Sequence, residues 1–297
     1  MSEHQISNLC GIAAIFIWSA TPLMLVLTGT MPPFLVGAIS YLLSFVLMIA
    51  WWLYKGENIA SKFNMPSKAY ALGMYGVFLY NMMYIYAIKQ GPLLEVSLLN
   101  YLWPALLLIF SSLLEKTRPD NFAITGILCC FIGSYFVFAS RGAITFSGSH
   151  VMMLVGLLCS VIWASYSTLL RYIRIKSDQI AVFFLPTGLI MLGQHLAFEH
   201  ILWPATALGW SMLAAYVLSR VAFFLWNYAM KHGSMRLMGS LSYFLPLFAT
   251  LALAMGGFAY YNSNLAIGAA LIICGCIVIN LKSLIASARG VMRRGLA

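Results

Sequence analysis

Charge is what this sequence has least of: 8% of its 297 residues are Asp, Glu, Lys or Arg, and seven are acidic. Soluble domains carry about 25% charged residues. A chain that is 62% hydrophobic, with mean hydropathy +0.91, has too little polar surface to face water. Long polar stretches are also missing. The longest polar connection, residues 55–67, is too short to fold alone, so no attached catalytic or nucleotide-binding domain is expected. The sequence has no Walker A motif, no His-Glu-x-x-His and no nucleophile elbow, which argues against an ATPase, a metalloprotease or a serine hydrolase. Asp120 and Asp178 fall at helix starts, and Glu95 is the only carboxylate within reach of a mid-membrane site. A proton relay through buried acids is therefore poorly supported. No Lys or Arg precedes the first apolar stretch, so no cleavable signal peptide is expected. The cysteines Cys10, Cys129, Cys130, Cys159, Cys274 and Cys276 all fall in apolar stretches, where they read as small core residues rather than disulfides or metal ligands. Neither a metal nor a cofactor is expected.

What the chain does have is apolar segments of about 20 residues, the length that crosses the roughly 30 Å hydrocarbon core as a helix. Ten are predicted: 8–29, 33–54, 68–88, 92–114, 120–140, 150–172, 179–199, 206–230, 234–256 and 264–285. The fold class is thus an all-α membrane protein of ten transmembrane helices. Net charge is +10, and its placement is an orientation signal rather than a nucleic-acid footprint. With the N-terminus inside, the inner connections hold Lys55, Lys62, Lys68, Lys116, Arg118, Arg171, Arg174, Lys176, Lys231, Arg236, Lys282, Arg289, Arg293 and Arg294. The outer connections hold only Lys89 and Arg141, so both termini are expected in the cytoplasm.

The chain also repeats itself. Tyr86-Ala-Ile-Lys-Gln-Gly91 returns as Tyr228-Ala-Met-Lys-His-Gly233, and the same offset of 142 carries Tyr101 onto Tyr243, Pro104 onto Pro246, Gly126 onto Gly268 and Gly133 onto Gly275. Near the start of each half the offset is 145, taking Gly11 to Gly156 and Trp18 to Trp163. Five spans per copy is an odd number, so residues 1–145 and 146–297 are expected to be inverted repeats that rock around a midplane site. The alternative is duplication kept for packing alone.

Gly126 and Gly133, like Gly268 and Gly275, lie seven residues apart on one helix face, which marks the fifth and tenth spans as packing elements or a dimer contact. In the fourth span Ser97, Asn100, Tyr101 and Pro104 form a polar stripe, echoed by Gly239, Ser242, Tyr243 and Pro246 in the ninth. Such groups must face protein or water, and the stripes are expected to line a cavity. Interhelical hydrogen bonding without a cavity is the alternative. Pro22, Pro104 and Pro246 are the candidate helix-breaking and gating positions.

Tryptophan usually sits at the membrane interface, as Trp51, Trp52, Trp203, Tyr260 and Tyr261 are expected to do. Trp18 and Trp163 lie mid-span, at places the repeat makes equivalent, and read either as two walls of one chamber or as core packing. Tyr80, Tyr84 and Trp103 join them, with Asn81 beside the tyrosines. Arg220 is the one basic residue deep in a span, with Asn227 on its face. It either receives a substrate carboxylate or is structural, paired with carbonyls or with Glu95.

With ten spans, inverted halves and the run Glu115-Lys-Thr-Arg-Pro119 leading to Gly126 and Gly133, nearly the whole chain resembles the drug/metabolite transporter superfamily, of the EamA-like kind. Asn100-Tyr-Leu-Trp-Pro104 and the Tyr80/Tyr84 pair make it most similar to the aromatic amino acid exporter branch. That resemblance implies a cavity of Trp18, Tyr80, Tyr84, Tyr101, Trp103 and Trp163. Two departures bear on substrate choice and coupling: Ala38-Ile-Ser-Tyr41 stands where many relatives carry an arginine, and Gly257 replaces an expected glutamate.

The expected function is secondary, non-ATP export of aromatic and other hydrophobic amino acids, by alternating access, from the bacterial cytoplasm across the inner membrane. The substrate-binding set is Trp18, Tyr80, Tyr84, Asn100, Tyr101, Trp103, Trp163, Arg220, Asn227 and Tyr243. The expected partners are a small-molecule substrate and the lipid bilayer, without nucleic acid, in a monomer or weak homodimer. Alternatives are a carrier of sugar phosphates, nucleotide sugars or cationic drugs, and a polytopic membrane enzyme.

Overall fold

The computed structural model describes residues 1–117 and 119–294, with the backbone alone for Ser283, Leu284 and residues 286–294. Arg118 and the side chains of Arg289, Arg293 and Arg294, which entered the charge count above, lie outside the described residues. Among the described residues there is no strand, and ten helices are long and apolar enough to cross a membrane. They are α1 (Glu3–Leu27), α2 (Pro33–Tyr54), α3 (Ser67–Gln90), α4 (Leu93–Leu114), α5 (Asn121–Ala139), α6 (His150–Leu169), α7 (Ser177–Phe198), α8 (Ala207–His232), α9 (Met235–Met255) and α10 (Ser263–Arg294). Their starts are fixed by short polar side chains that accept otherwise orphaned amides: Ser2 with Gln5 in a capping box, then Asp120, Ser149, Thr206 and Ser234. The capping box starts α1 five residues before the predicted span.

Four helices are interrupted, in matched places. α4 breaks at Tyr101–Leu102 and α9 at Tyr243, 142 residues on. α3 carries a π-helical turn at Met74–Leu79, and α8 breaks at Ser219 and Arg220, within the segment an offset of 142 would assign. Each break frees backbone carbonyls that hydrocarbon cannot satisfy, so a side chain must. Asn81 Nδ2 donates to the Val77 carbonyl at 2.6 Å beside the π turn. Pro22 removes the donor for the carbonyl of Trp18, and the Thr21 hydroxyl takes that carbonyl at 2.7 Å.

The helices interlock across the sequence halves. α2 packs on α7 and α5 on α10, while α1 lies against α8 and α9 and α6 against α3 and α4. These contacts are reciprocal in detail. A Cβ on Gly11 would meet Met238, and one on Gly156 would meet Val96, the residue 142 before Met238. Along α5 and α10 a Cβ on Gly126 would lie 2.6 Å from the Gly275 carbonyl oxygen, and one on Gly133 would lie 2.9 Å from that of Gly268. Both glycine faces are therefore consumed within the chain. The possibility that they form a dimer contact is corrected accordingly: backbones this close leave no room for a second copy.

The two ends of the bundle are tied differently. At the end holding the N-terminus, Asp178 accepts from Trp52 Nε1 at 2.9 Å and pairs with Lys62, while Asp120 lies 3.4 Å from Arg236 and 3.2 Å from Lys282. Trp52 is fully buried, not interfacial as expected, because the indole N–H has found a carboxylate on α7. At the opposite end Glu199 gathers Lys89, the Phe34 and Leu35 amides and His195 Nδ1, tying α2, α3 and α7 together. Burial pushes the Glu199 carboxyl up, but these donors outweigh it and hold it below the usual carboxylate range.

Candidate functional site

Where the interrupted helices meet, aromatic rings from both halves converge. Trp18 of α1 and Trp163 of α6 face each other edge-on, with centroids 5.6 Å apart. Tyr80 of α3 lies 5.1 Å from Trp163, and Trp103 of α4 meets it at 6.4 Å and 90°. From α8, Phe223 and Trp226 come within 5.6 and 5.5 Å of Trp18. Tyr84 stacks on Tyr80 at 5.8 Å. Each such pair contributes about 0.5–1.5 kcal/mol beyond simple burial. Trp163 and Trp226 are buried, whereas Trp18, Tyr80 and Tyr84 keep part of their surface open.

A polar shell holds these rings. Asn100 Nδ2 donates to the Tyr80 hydroxyl at 3.3 Å, and the Tyr84 hydroxyl reaches Ser97 at 3.3 Å. Trp226 Nε1 donates to Ser167 at 3.0 Å, and the Tyr166 hydroxyl donates to Asn227 Oδ1 at 3.0 Å. Asn100 Oδ1 and Asn227 Nδ2 are buried without partners, leaving one acceptor and one donor for a ligand or water.

Arg220 occupies the break in α8, 8% exposed, with its guanidinium carbon 4.5 Å from the Tyr216 ring and 4.7 Å from the Tyr41 ring. Rings rather than a carboxylate take its charge. Glu95, one suggested partner, is buried elsewhere and accepts the Thr145 amide at 2.9 Å. The Arg220 Nε is buried and unpaired.

Two residues of the expected set belong mainly to a neighbouring core, although Tyr101 meets the cluster at Trp103, with centroids 6.4 Å apart. Tyr101 and Tyr243 meet each other at 6.3 Å, in a second apolar core with Phe138 between α4, α5, α9 and α10. Tyr101 donates to the Ser242 carbonyl, which Pro246 leaves without its helical donor. The equivalent Tyr243 hydroxyl is buried and has no partner. Tyr101→Phe is therefore expected to lower stability by about 1–3 kcal/mol, since it strands a buried carbonyl, and Tyr243→Phe by less than about 0.5. Thermal unfolding of the two variants in detergent measures the difference.

Cavities open near the bundle's ends. One of about 400 Å³ lies at the N-terminal end, beside Lys231 and Arg171, and one of about 340 Å³ lies between Phe34, Met82 and Gln194. The rings of the cluster are in mutual contact, while Trp18, Tyr80 and Tyr84 keep part of their surface open.

A model of the EamA-like transporter family matches residues 5–139. The aromatic amino acid exporter YddG of Ancylobacter novellus is 35% identical over 282 residues, which cover 93% of this chain and 97% of that protein. The chain belongs to the EamA-like transporter family. Proteins of the same name from Escherichia coli (26% identical, 64% of this chain, 67% of theirs) and Salmonella typhimurium (25%, 57% and 61%) are also similar. A solved crystal structure superposes with TM-score 0.84 at 34% identity, covering 93% of this chain and 96% of that one. This EamA-like protein is accordingly an integral, multi-pass membrane transporter and not an enzyme.

Both family departures acquire a physical setting. In the Ala38-Ile-Ser-Tyr41 stretch, Tyr41 lies under the guanidinium of Arg220, which reaches it from α8. Gly257 ends α9 with φ +80, a left-handed conformation that a glutamate side chain disfavours. Sequence reasoning missed Phe223 and Trp226. The repeat held a signal for the latter, since Trp226 lies 142 residues beyond Tyr84.

Proposed function

We propose that this EamA-like transporter exports aromatic amino acids from the cytoplasm across a bacterial inner membrane, by alternating access. The observation that carries the reading is the ring cluster in which Trp18 and Trp163, equivalent in the repeat, touch, with Trp103, Tyr80, Phe223 and Trp226 around them. Stacked and edge-on rings favour another planar ring, and the relatives' name points to the same substrate class. Asn100 and Asn227 supply polar contacts, and Arg220 receives the carboxylate through its unpaired Nε. Residues 1–145 and 146–297 act as inverted repeats, a reading supported by the matched breaks and reciprocal glycine contacts. Pro22, Pro104 and Pro246 then sit where the helices bend as the cluster parts. The excess of basic groups at the end where α1 starts supports a cytoplasmic location of both termini.

Carriers of phosphorylated sugars need several cations at the binding site, and Arg220 is the one that borders the rings. Purified protein in liposomes is expected to exchange labelled phenylalanine or tryptophan. Flux no greater than in empty liposomes overturns the proposal.

A further inference from the structure

The roughly 400 Å³ cavity at the N-terminal end has the volume of a small-molecule site, and its wall carries an unequal set of cations. Arg171 is spent on the carbonyls of Met230 and Gly233 and on Glu115 at 3.6 Å. Arg236 is spent on the Ile279 carbonyl and on Asp120. Lys231, half-buried in the same wall, has neither a hydrogen bond nor an ion pair among the described residues. The repeat sharpens the contrast. Lys89 holds the equivalent place in Tyr86-Ala-Ile-Lys-Gln-Gly91, and at the opposite end Glu199 neutralises it. One copy of the motif is closed by a carboxylate; the other presents an ammonium without a hydrogen bond or ion pair among the described residues to a cavity whose wall also holds Glu115, 3.6 Å from Arg171.

Position adds the chemistry. Lys231 follows Trp226 by five residues on the same unbroken helical segment, a rise of about 7.5 Å. It is turned about 140° from Trp226 and lines the cavity at the end of α8, about one and a half turns from the ring cluster. Arg220 lies at the other end of the same segment, beyond Phe223. Along this segment the two cations lie at opposite ends, with Phe223 and Trp226 between them.

Building on the proposed export function, we propose that Lys231 is an anion-binding residue of the inner mouth, which captures the α-carboxylate of the amino acid before its ring reaches the cluster. The recognised class is a free carboxylate on an aromatic or apolar amino acid, and esters or amides of the same rings fall outside it.

Two measurements test this. In inside-out vesicles Lys231→Gln should raise the KM for labelled phenylalanine roughly ten-fold, as loss of a charge-assisted contact does. Its kcat should change little, phenylalaninamide transport should be unaffected, and Lys231→Arg should restore the KM. An unchanged KM, or equal losses for phenylalanine and its amide, overturns the proposal. So does an effect that vanishes when vesicles lack anionic lipid, because the lysine then serves a lipid phosphate. In the wild-type protein, acylation of Lys231 by a neutral amine reagent, read by mass spectrometry, should be slowed by phenylalanine or benzoate and not by phenylalaninamide. Absence of protection sinks the site on its own. If wild-type vesicles move neither compound, the export reading fails, and the labelling experiment still decides Lys231.

Discussion

Trp163→Ala is expected to cut exchange of labelled tryptophan or phenylalanine about ten-fold or more, and threonine exchange much less. The Trp163 ring lies 5.3 Å from Tyr166, 5.1 Å from Tyr80, 5.6 Å from Trp18 and 6.0 Å from Phe223, which makes it the ring most others share. A substrate ring that replaces one or two such contacts gains about 0.5–1.5 kcal/mol from each, and about 1.4 kcal/mol is a factor of ten in affinity. Threonine has no ring to lose. The indole is also part of the core, and truncating a buried tryptophan costs about 3–5 kcal/mol of stability. Gel filtration and thermal unfolding should accompany the flux measurement. Trp163→Phe keeps a ring in place and should retain most of the transport. Equal losses for tryptophan and threonine in the alanine variant would mean that Trp163 only braces the fold.

Gly126→Leu should prevent accumulation of folded protein, and Gly126→Ala should lower the melting temperature by about 5–10 °C. The first atom of any side chain at Gly126 would sit 2.6 Å from the Gly275 carbonyl oxygen and 2.9 Å from the Ile279 backbone nitrogen. Neither partner is the free end of a flexible chain, so α5 and α10 must separate. Lipid does not drive helices together by hydrophobic burial, and close backbone approach is the attraction that would be lost. Gly193 supplies the control, because a Cβ there meets nothing within 4 Å. Gly193→Ala should leave the melting temperature within about a degree or raise it slightly, as an exposed helical glycine replaced by alanine does. If Gly126→Ala melts like the parent protein, the α5–α10 contact is looser than described.

Each of these residues was visible before the fold, for different reasons. The glycines announced a packing face by spacing alone, because seven residues are two helical turns whatever lies opposite. What lies opposite was not written in the spacing: it is the other glycine pair of the same chain. Trp18 and Trp163 were conspicuous because a mid-span indole breaks the interfacial habit, and the duplication set them at one depth. Trp52 shows the limit of that habit. It sits at a helix end like an interfacial residue, yet Asp178, far away in sequence, draws it fully inside.

Arg220, Phe223 and Trp226 mark the same limit on α8. Arg220 stood out as a buried charge, but among the apolar residues of the span a ring turned to lipid and a ring turned to protein read alike, since both environments accept it. Tyr101 and Tyr243 were grouped with the cavity because they belong to a polar stripe. Only the crossing of α4 and α9 shows Tyr101 answering the carbonyl that Pro246 leaves open, with Tyr243 answering nothing.

The sequence by itself determined the number of helices, the duplicated residues and, through Pro104 and Pro246, the breaks of α4 and α9, because hydropathy, repetition and proline act along the chain. The interruptions of α3 and α8 carry no proline, and α1 runs unbroken through Pro22. Tertiary structure alone decided which faces meet: that the glycines close on each other, that Arg220 rests on rings, and that Lys89 is neutralised while Lys231 is left open. Those outcomes depend on contacts between helices up to two hundred residues apart, and a membrane supplies no polarity gradient across a helix from which they could be read in advance.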